Sequence, residues 1–417
     1  MPSLSVGVDE VTLVLQSPDK VPVMMWPDVA EVMIATFLDK SKLTELFGPM
    51  EPAVKMQAGY SSGLTFENRP WHLTINWNED MPTMGICVRY SAHAYAAYKE
   101  AYTAQYQTDI NITVFLQMIQ CDDVYTTRLS RIDLTADYFD YTDEHMRTAP
   151  LSPDTIYTRL KDGNYIVKNG NGHQSIRNMS GVDKGGAYQT FYLGSQKGKT
   201  NGFLRCYDKK AEQLQTMGFR YDDALNCDSW VRFEAVYRHD YAHQITEGLL
   251  SVKTVQELSQ LIAGYICGKY QFFDANTDEV TEFTADLLGV AAGSSVIALS
   301  STSPRDNTLR QSIEHLRVGS GLYATLYKAY KIWGDGADRE LLRYLYDDYV
   351  YNFRVKLLTG QDKYKAKEIR LWLKQHEEET KQHPLNDYLD RSRHNLNLPL
   401  FDATGKPVVI TMDGDDL

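Results

Sequence analysis

The chain has 417 residues, 43% hydrophobic and 24% charged, with 43 Lys+Arg against 55 Asp+Glu and a formal net charge of −12. That length allows two or three domains with sizeable cores, and the composition excludes a disordered or fibrous chain. No apolar run approaches the ~18–20 residues of a membrane-spanning helix, and MPSLSVGVDEVTLVLQ at the N-terminus lacks the basic-then-apolar pattern of a secretory signal, so the expectation is a cytoplasmic protein with no membrane partner.

Taken in chain order, strand-like segments dominate the first 240 residues. VGVDEVTLVLQ (6–16), LTFENRPWHLTINWN (64–78) and MGICVRYS (84–91) read as strands, with helical patterns at 29–47, 93–102 and 110–120. In RLSRIDLTADYFD (128–140) the alternation is strict: Arg131, Asp133, Thr135 and Asp137 face one way and Ile132, Leu134 and Ala136 the other, which predicts a half-buried strand with a charged face. A Gly/Asn-rich loop follows at 162–175, then strand character at 187–195, 202–212 and 229–238. From about 245 onward the pattern turns helical, at 255–266, 308–334, 337–358 and 363–382, and the residues after 395 read as a tail. This order permits two related α+β halves without demanding them.

The charge is unevenly spread. Residues 1–150 carry 10 Lys+Arg and 20 Asp+Glu, a balance of −10, whereas 151–215 carry 10 and 5, a balance of +5. The stretch QDKYKAKEIRLWLK (361–374) adds 5 basic to 2 acidic residues, on either a solvated helix face or a DNA-contacting one. Several motif-like features carry no chemistry. GSQKGKT (194–200) has three residues between its glycines where a phosphate-binding P-loop needs four. His239 and His243 lie four apart without the glutamate of a zinc-protease helix, no His-x-His occurs, and five scattered cysteines form no CxxC.

The chemistry-bearing residues lie on strand faces. Asp133 and Asp137 share one face with Arg131; Tyr188, Thr190 and Tyr192 share another; Arg205, Tyr207 and Lys209 a third; Arg232 and Glu234 a fourth. Carboxylates on neighbouring strands can hold a hard divalent cation together with substrate phosphate, and a tyrosine oxygen can attack the same phosphorus. Cross-strand salt bridges on an exposed face would leave the same pattern.

Five segments, GVDEVTLVL, MGICVRYSAHAY, RLSRIDLTADYFD, YQTFYLGSQKGKTNGFLRCYDKKAEQ and WVRFEAVYR, resemble in this order the replication initiation factor family of rolling-circle plasmid and phage initiators and conjugative-element relaxases. The resemblance covers about residues 6–270 and departs at Thr135-Ala136-Asp137 and in an enlarged loop at 141–185. It implies an α+β fold: a catalytic domain (1–270) built on a duplicated, saddle-like antiparallel sheet, then a mainly helical region (271–395) for origin recognition or partner binding, and a tail (396–417). It further implies a rolling-circle replication initiator, nicking and rejoining one strand through a covalent 5′-phosphotyrosine with Mg²⁺ or Mn²⁺. By motif position the nucleophile is Tyr192, with Tyr188 and Tyr207 as rivals. Asp133 and Glu234 are the implied metal ligands, with Asp137 a third candidate, and Arg205 and Lys209 complete the catalytic set. The expected DNA contacts are Arg131, Lys197, Lys199, Lys363, Lys365, Lys367 and Arg370. The partner is double-stranded origin DNA with a single-stranded nick region; a host helicase and a second copy of the chain are partners that the resemblance allows. A relaxase acting on a transfer origin and a non-catalytic DNA-binding regulator remain the alternatives.

Overall fold

In a computed structural model of the chain, the described residues are 2–145, 149–174, 178–183, 185–198, 200–292 and 321–361, with scattered positions beyond. Two compact units form, Met1–Ser301 and Thr302–Leu417.

The first unit opens with a long strand, β1 (Ser3–Gln16), then helices α1 (Trp26–Ser41) and α2 (Leu43–Phe47). A meander follows: β2 (Glu51–Pro52), β3 (Ser62–Thr65), β4 (Leu73–Trp77) and β5 (Ile86–Tyr90). The stretch read as one strand over 64–78 is therefore two, β3 and β4, hydrogen-bonded to each other with Leu64 opposite Ile75. Helices α3 (Ala92–Tyr106) and α4 (Ile112–Ile119) close this half; Ser91 and Asn111 cap them, each side chain accepting from the N–H three residues on.

The second half repeats the order. A long strand, β6 (Thr126–Phe139), leads to α5 (Pro153–Lys161), capped by Ser152 in a reciprocal box with Thr155. Within the stretch expected to be loop, β7 (Tyr165–Lys168) pairs with β12 (Gln271–Asp274). The second meander is β8 (Met179–Asp183), β9 (Tyr188–Leu193), β10 (Gly202–Asp208) and β11 (Trp230–Arg238), with α6 (Lys209–Thr216) and α7 (Tyr221–Asn226) between the last two strands. Helices α8 (Asp240–Ser251), α9 (Val255–Cys267) and α10 (Glu282–Ala291) follow. β12 and α10 pack with these elements in the first unit.

One ten-stranded antiparallel sheet results, in the order β2-β3-β4-β5-β1-β6-β11-β10-β9-β8. Read outward from the β1–β6 seam, each half is a long strand followed by the last-to-first strands of its meander, so the sheet is duplicated about that seam. α4, α8 and α9 cover one face, on which Ile132, Leu134, Ala136, Phe233, Ala235 and Tyr237 are all buried. The opposite face is the polar one. It differs from the expected half-exposed strand: Asp133, Thr135 and Asp137 are no more than 3% exposed, and every residue of β11 before Arg238 is buried. β6 and β11 are central strands covered on both sides, so their charges are buried ion pairs.

The second unit contains α11 (Leu322–Trp333) and α12 (Ala337–Asp348), the latter continued by a wider turn at Tyr349–Arg354 and by Val355–Leu358. Most of the expected basic helix lies outside the described residues, as do Lys199, Lys363, Lys365 and Lys367; Arg370 is described and exposed, its Nε donating to the Ala366 carbonyl oxygen 3.2 Å away. The expected tail is also outside them, apart from the short pair Leu400–Phe401 with Pro407–Val408. Among the described residues, no helix is long and apolar enough to cross a membrane, and all five cysteines are free thiols.

Candidate active site

Strand register assembles the polar face. Tyr192 of β9 stands opposite Arg205 of β10, Arg205 opposite Glu234 of β11, Glu234 opposite Thr135 of β6, and Thr135 opposite Gly7 of β1. A second row along the same face runs Tyr207–Arg232–Asp137. With strands ~4.8 Å apart, Tyr192 lies one strand from Arg205 and two from Glu234.

β1 adds acids that the sequence reading did not select. Val8 pairs with Leu134 and Val11 with Ile132, so Asp9 and Glu10 both stand opposite the single Asp133, a β-bulge. Its signal is in the sequence: apolar positions 6 and 8 continue as 11, 13 and 15, a change of phase at two adjacent acids. Glu10 accepts from Arg131 Nη1 (2.8 Å) and Arg89 Nε (3.0 Å), and Asp9 accepts from Arg232 Nη1 (2.7 Å).

The two ends of this face differ in chemistry. At one end, Asp137 Oδ1 accepts from Trp230 Nε1 (2.9 Å) and Arg232 Nε (2.6 Å), and Oδ2 from Arg232 Nη2 (2.8 Å) and Arg220 Nη1 (2.9 Å). Four donors fill the four acceptor positions of a carboxylate. Burial pushes this carboxyl up, but Arg232, Trp230 and Arg220 outweigh it and hold it below the usual carboxylate range. A small cluster of Ala224, Cys227 and Trp230 sits beside it. Asp137 is thus a structural anion with no room for a cation. It lies four residues along β6 from Asp133, ~13 Å at strand spacing, too far to share an ion with it.

At the other end, Asp133 accepts from Arg131 Nε (2.9 Å) and Nη2 (2.6 Å), while Glu234 Oε2 accepts from Arg205 Nη2 (2.6 Å) and the Tyr207 hydroxyl (3.1 Å). Burial, with the charges of Glu234 and Glu10, pushes the Asp133 carboxyl up to about 8 against the pull of Arg131. Two buried carboxylates that repel each other are what a hard divalent cation relieves, and Arg131 and Arg205 supply the positive charge in its place. Among the described residues, no three His, Cys, Asp or Glu side chains gather to cage an ion. Asp133 and Glu234 are the carboxylates of this face that could hold a hard divalent cation, whereas the four donors on Asp137 leave it no acceptor position for one.

The three tyrosines are sorted by environment. The Tyr207 ring is buried under Arg205 (4.7 Å from guanidinium to ring centre) and Lys209 (5.6 Å), its hydroxyl is given to Glu234, and burial pushes its pKa well up. Tyr188 does not share the face of Tyr192: the β8–β9 register shifts beside it, its ring packs on Tyr157 of α5 at 4.6 Å, and its hydroxyl accepts from Lys161 Nζ at 3.0 Å. Tyr192 is half-buried at an open cleft of about 240 Å³ lined by Gln189, Thr190, Arg205, Tyr207, Asp208, Ala211, Glu212 and Gln215. Among the described residues its hydroxyl has no hydrogen-bond partner.

Lys209 is not on the β10 face either. Asp208 ends the strand and caps α6, so Lys209 opens that helix and its Nζ pairs with Glu212 Oε2 at 2.8 Å. Lys197 is exposed in the β9–β10 loop, which is tied to the end of β11 where His239 Nε2 meets the Gly198 carbonyl oxygen at 2.7 Å and Arg238 Nη1 meets that of Gln196 at 3.3 Å.

A family model described as replication initiation factor matches residues 127–343, 217 of the 417 positions. The match takes in β6 to α11 and leaves β1 to β5 outside it. No curated protein matches the chain. Among solved structures, the chain is similar to a rolling circle replication initiator protein from Geobacillus stearothermophilus, at 18% identity and a TM-score of 0.46, over 72% of this chain and 100% of that one.

Proposed function

The chain belongs to the replication initiation factor family, and from that premise we propose that it initiates rolling-circle replication by nicking and rejoining one strand of its origin through Tyr192. The observation that carries this reading is the register row Tyr192–Arg205–Glu234, with Asp133 beside it on the same face.

Tyr192 is the tyrosine whose hydroxyl is unengaged and at the cleft, whereas that of Tyr207 is bound to Glu234 and that of Tyr188 is turned to α5. Its oxygen attacks the scissile phosphorus; the P–O3′ bond breaks, the tyrosyl proton passes to the departing 3′-oxygen, and the 5′-phosphate stays on the enzyme. The bond energy is conserved, so a free 3′-hydroxyl can reverse the step. Arg205, 37% exposed and one strand away, meets the phosphate oxygens, and Arg131 is a further guanidinium at this end of the face. Asp133 and Glu234 would hold the divalent cation, which would supply polarisation of the phosphate and charge neutralisation. Tyr207 holds Glu234 through its hydroxyl and Arg205 over its ring, and Lys209 lies over the same ring. The duplex origin is the substrate, with the nicked segment unpaired.

The test is incubation of purified protein with supercoiled DNA carrying its own origin, in Mn²⁺ and in EDTA. Metal-dependent open circles with protein on the 5′ end support the reading. Binding without cleavage would favour a DNA-binding regulator.

A further inference from the structure

The cleft beside Tyr192 is lined by two kinds of side chain. Arg205 and Tyr207 are engaged with Glu234, Asp208 with the Ala211 N–H (2.9 Å), and Glu212 with Lys209 Nζ and Gln213 Nε2, both at 2.8 Å. The side chains of Gln189, Thr190, Tyr192 and Gln215 have no hydrogen-bond partner among the described residues. Gln189 stands on β9 and Gln215 on α6, both exposed at the rim, with Tyr192 and Arg205 also lining the cleft.

A phosphate at Tyr192 and Arg205 carries a nucleoside on each side, and this cleft is the adjoining space. Asp208 and Glu212 in its lining disfavour a second phosphate there. A carboxamide offers a donor and an acceptor side by side, the complement of a base edge, and an unpaired strand exposes that edge. We propose that the cleft seats the unpaired nucleotide next to the scissile phosphate and that Gln189 and Gln215 read its base. This inference rests on the nicking role of Tyr192, and it makes the two glutamines specificity-determining residues of that site.

The experiment first maps the nick with the wild-type protein. Single-stranded oligonucleotides carrying each of the four bases on either side of the nick, and at a position six nucleotides away, are then cleaved by the wild type and by Q189A/Q215A. Affinity for the same oligonucleotides is measured by fluorescence anisotropy in Tyr192→Phe and in the triple variant. The wild type is expected to prefer one base about tenfold at one flanking position, the discrimination of a well-placed amide pair. In Q189A/Q215A the favoured base falls to the rate of the others, within about twofold, and the distant position is read as before. Both side chains are on the surface, so the fold is retained, and circular dichroism checks this. An unchanged flanking preference in the double variant, or an equal loss at the distant position, overturns the inference. If the wild type cleaves nothing, the nicking role itself has failed and the inference falls with it; cleavage with an unchanged preference removes the inference alone.

Discussion

Replacing Asp137 with asparagine keeps the side chain's shape and removes its charge from a place where four N–H donors converge. Arg232, 4% exposed, would keep only Asp9 as its anionic partner, and one amide oxygen and one NH₂ would replace two acceptor oxygens. Breaking a buried pair in this way costs ~3–5 kcal/mol, which at ~1.6 °C per kcal/mol for a unit of about 300 residues lowers Tm by roughly 5–8 °C. Asp133→Asn is the contrasting case: burial, with the charges of Glu234 and Glu10, already pushes that carboxyl up, and its donors come from one guanidinium, so a neutral amide replaces it at smaller cost. Urea unfolding of both variants, with Mn²⁺ titration calorimetry on the folded proteins, separates the roles. Asp137→Asn loses stability and keeps its Mn²⁺ affinity; Asp133→Asn does the reverse. An Asp137→Asn protein as stable as the wild type but unable to bind Mn²⁺ would refute the assignment of Asp137 as a structural anion.

Further expectations concern pH, the tyrosines and the arginines. Because the folded-state pKa of Asp133 lies above its unfolded value near 4, the folded protein binds the extra proton between about pH 4 and 8, and stability of the metal-free protein falls as pH rises across that window; Asp133→Asn flattens the slope in calorimetric scans. Asp137 acts oppositely: its depressed pKa stabilises the fold above pH ~4 and that contribution is lost on acidification, so Asp137→Asn removes part of the acid transition. Tyr188→Phe nicks at the wild-type rate in a supercoiled-plasmid assay, since its ring serves α5. Tyr207→Phe slows nicking by roughly tenfold, one charge-assisted hydrogen bond to Glu234 being worth ~1.5 kcal/mol. Arg131→Gln frees both Asp133 oxygens, so Mn²⁺ binds about tenfold tighter by calorimetry while oligonucleotide affinity falls.

Much of this site was legible because β-strand periodicity is local. The alternation in RLSRIDLTADYFD places Arg131, Asp133, Thr135 and Asp137 on one face, and the register confirms it. Pairing partners and cover are not local. That Asp137 is enclosed by Arg220, Trp230 and Arg232 depends on residues 83 to 95 positions away, so a spacing that reads as a ligand pair becomes an anchor and a ligand. Tyr188 kept the parity of Tyr192 but lost its face to a register shift. Lys209 kept the parity of Tyr207, yet Asp208 is a helix cap as readily as a strand residue, and the cap prevailed. The bulge at Asp9–Glu10 shows as a phase change, though its cost or benefit depends on Arg89, Arg131 and Arg232 meeting it from three other strands. The net charge of −12 is consistent with a DNA enzyme once these acids are seen paired with arginine on the face itself.

The central claim is that Tyr192 carries the DNA. Incubating the protein with Mn²⁺ and a single-stranded origin oligonucleotide, then digesting with trypsin and nuclease, leaves the attached nucleotide on its peptide for mass spectrometry. Residues 185–197 yield one tryptic peptide holding both Tyr188 and Tyr192, and its fragment ions distinguish them. A 5′-phosphonucleotide on Tyr192 is the expected result; the same adduct on Tyr188 or Tyr207, or cleaved DNA with no adduct at all, would contradict that role.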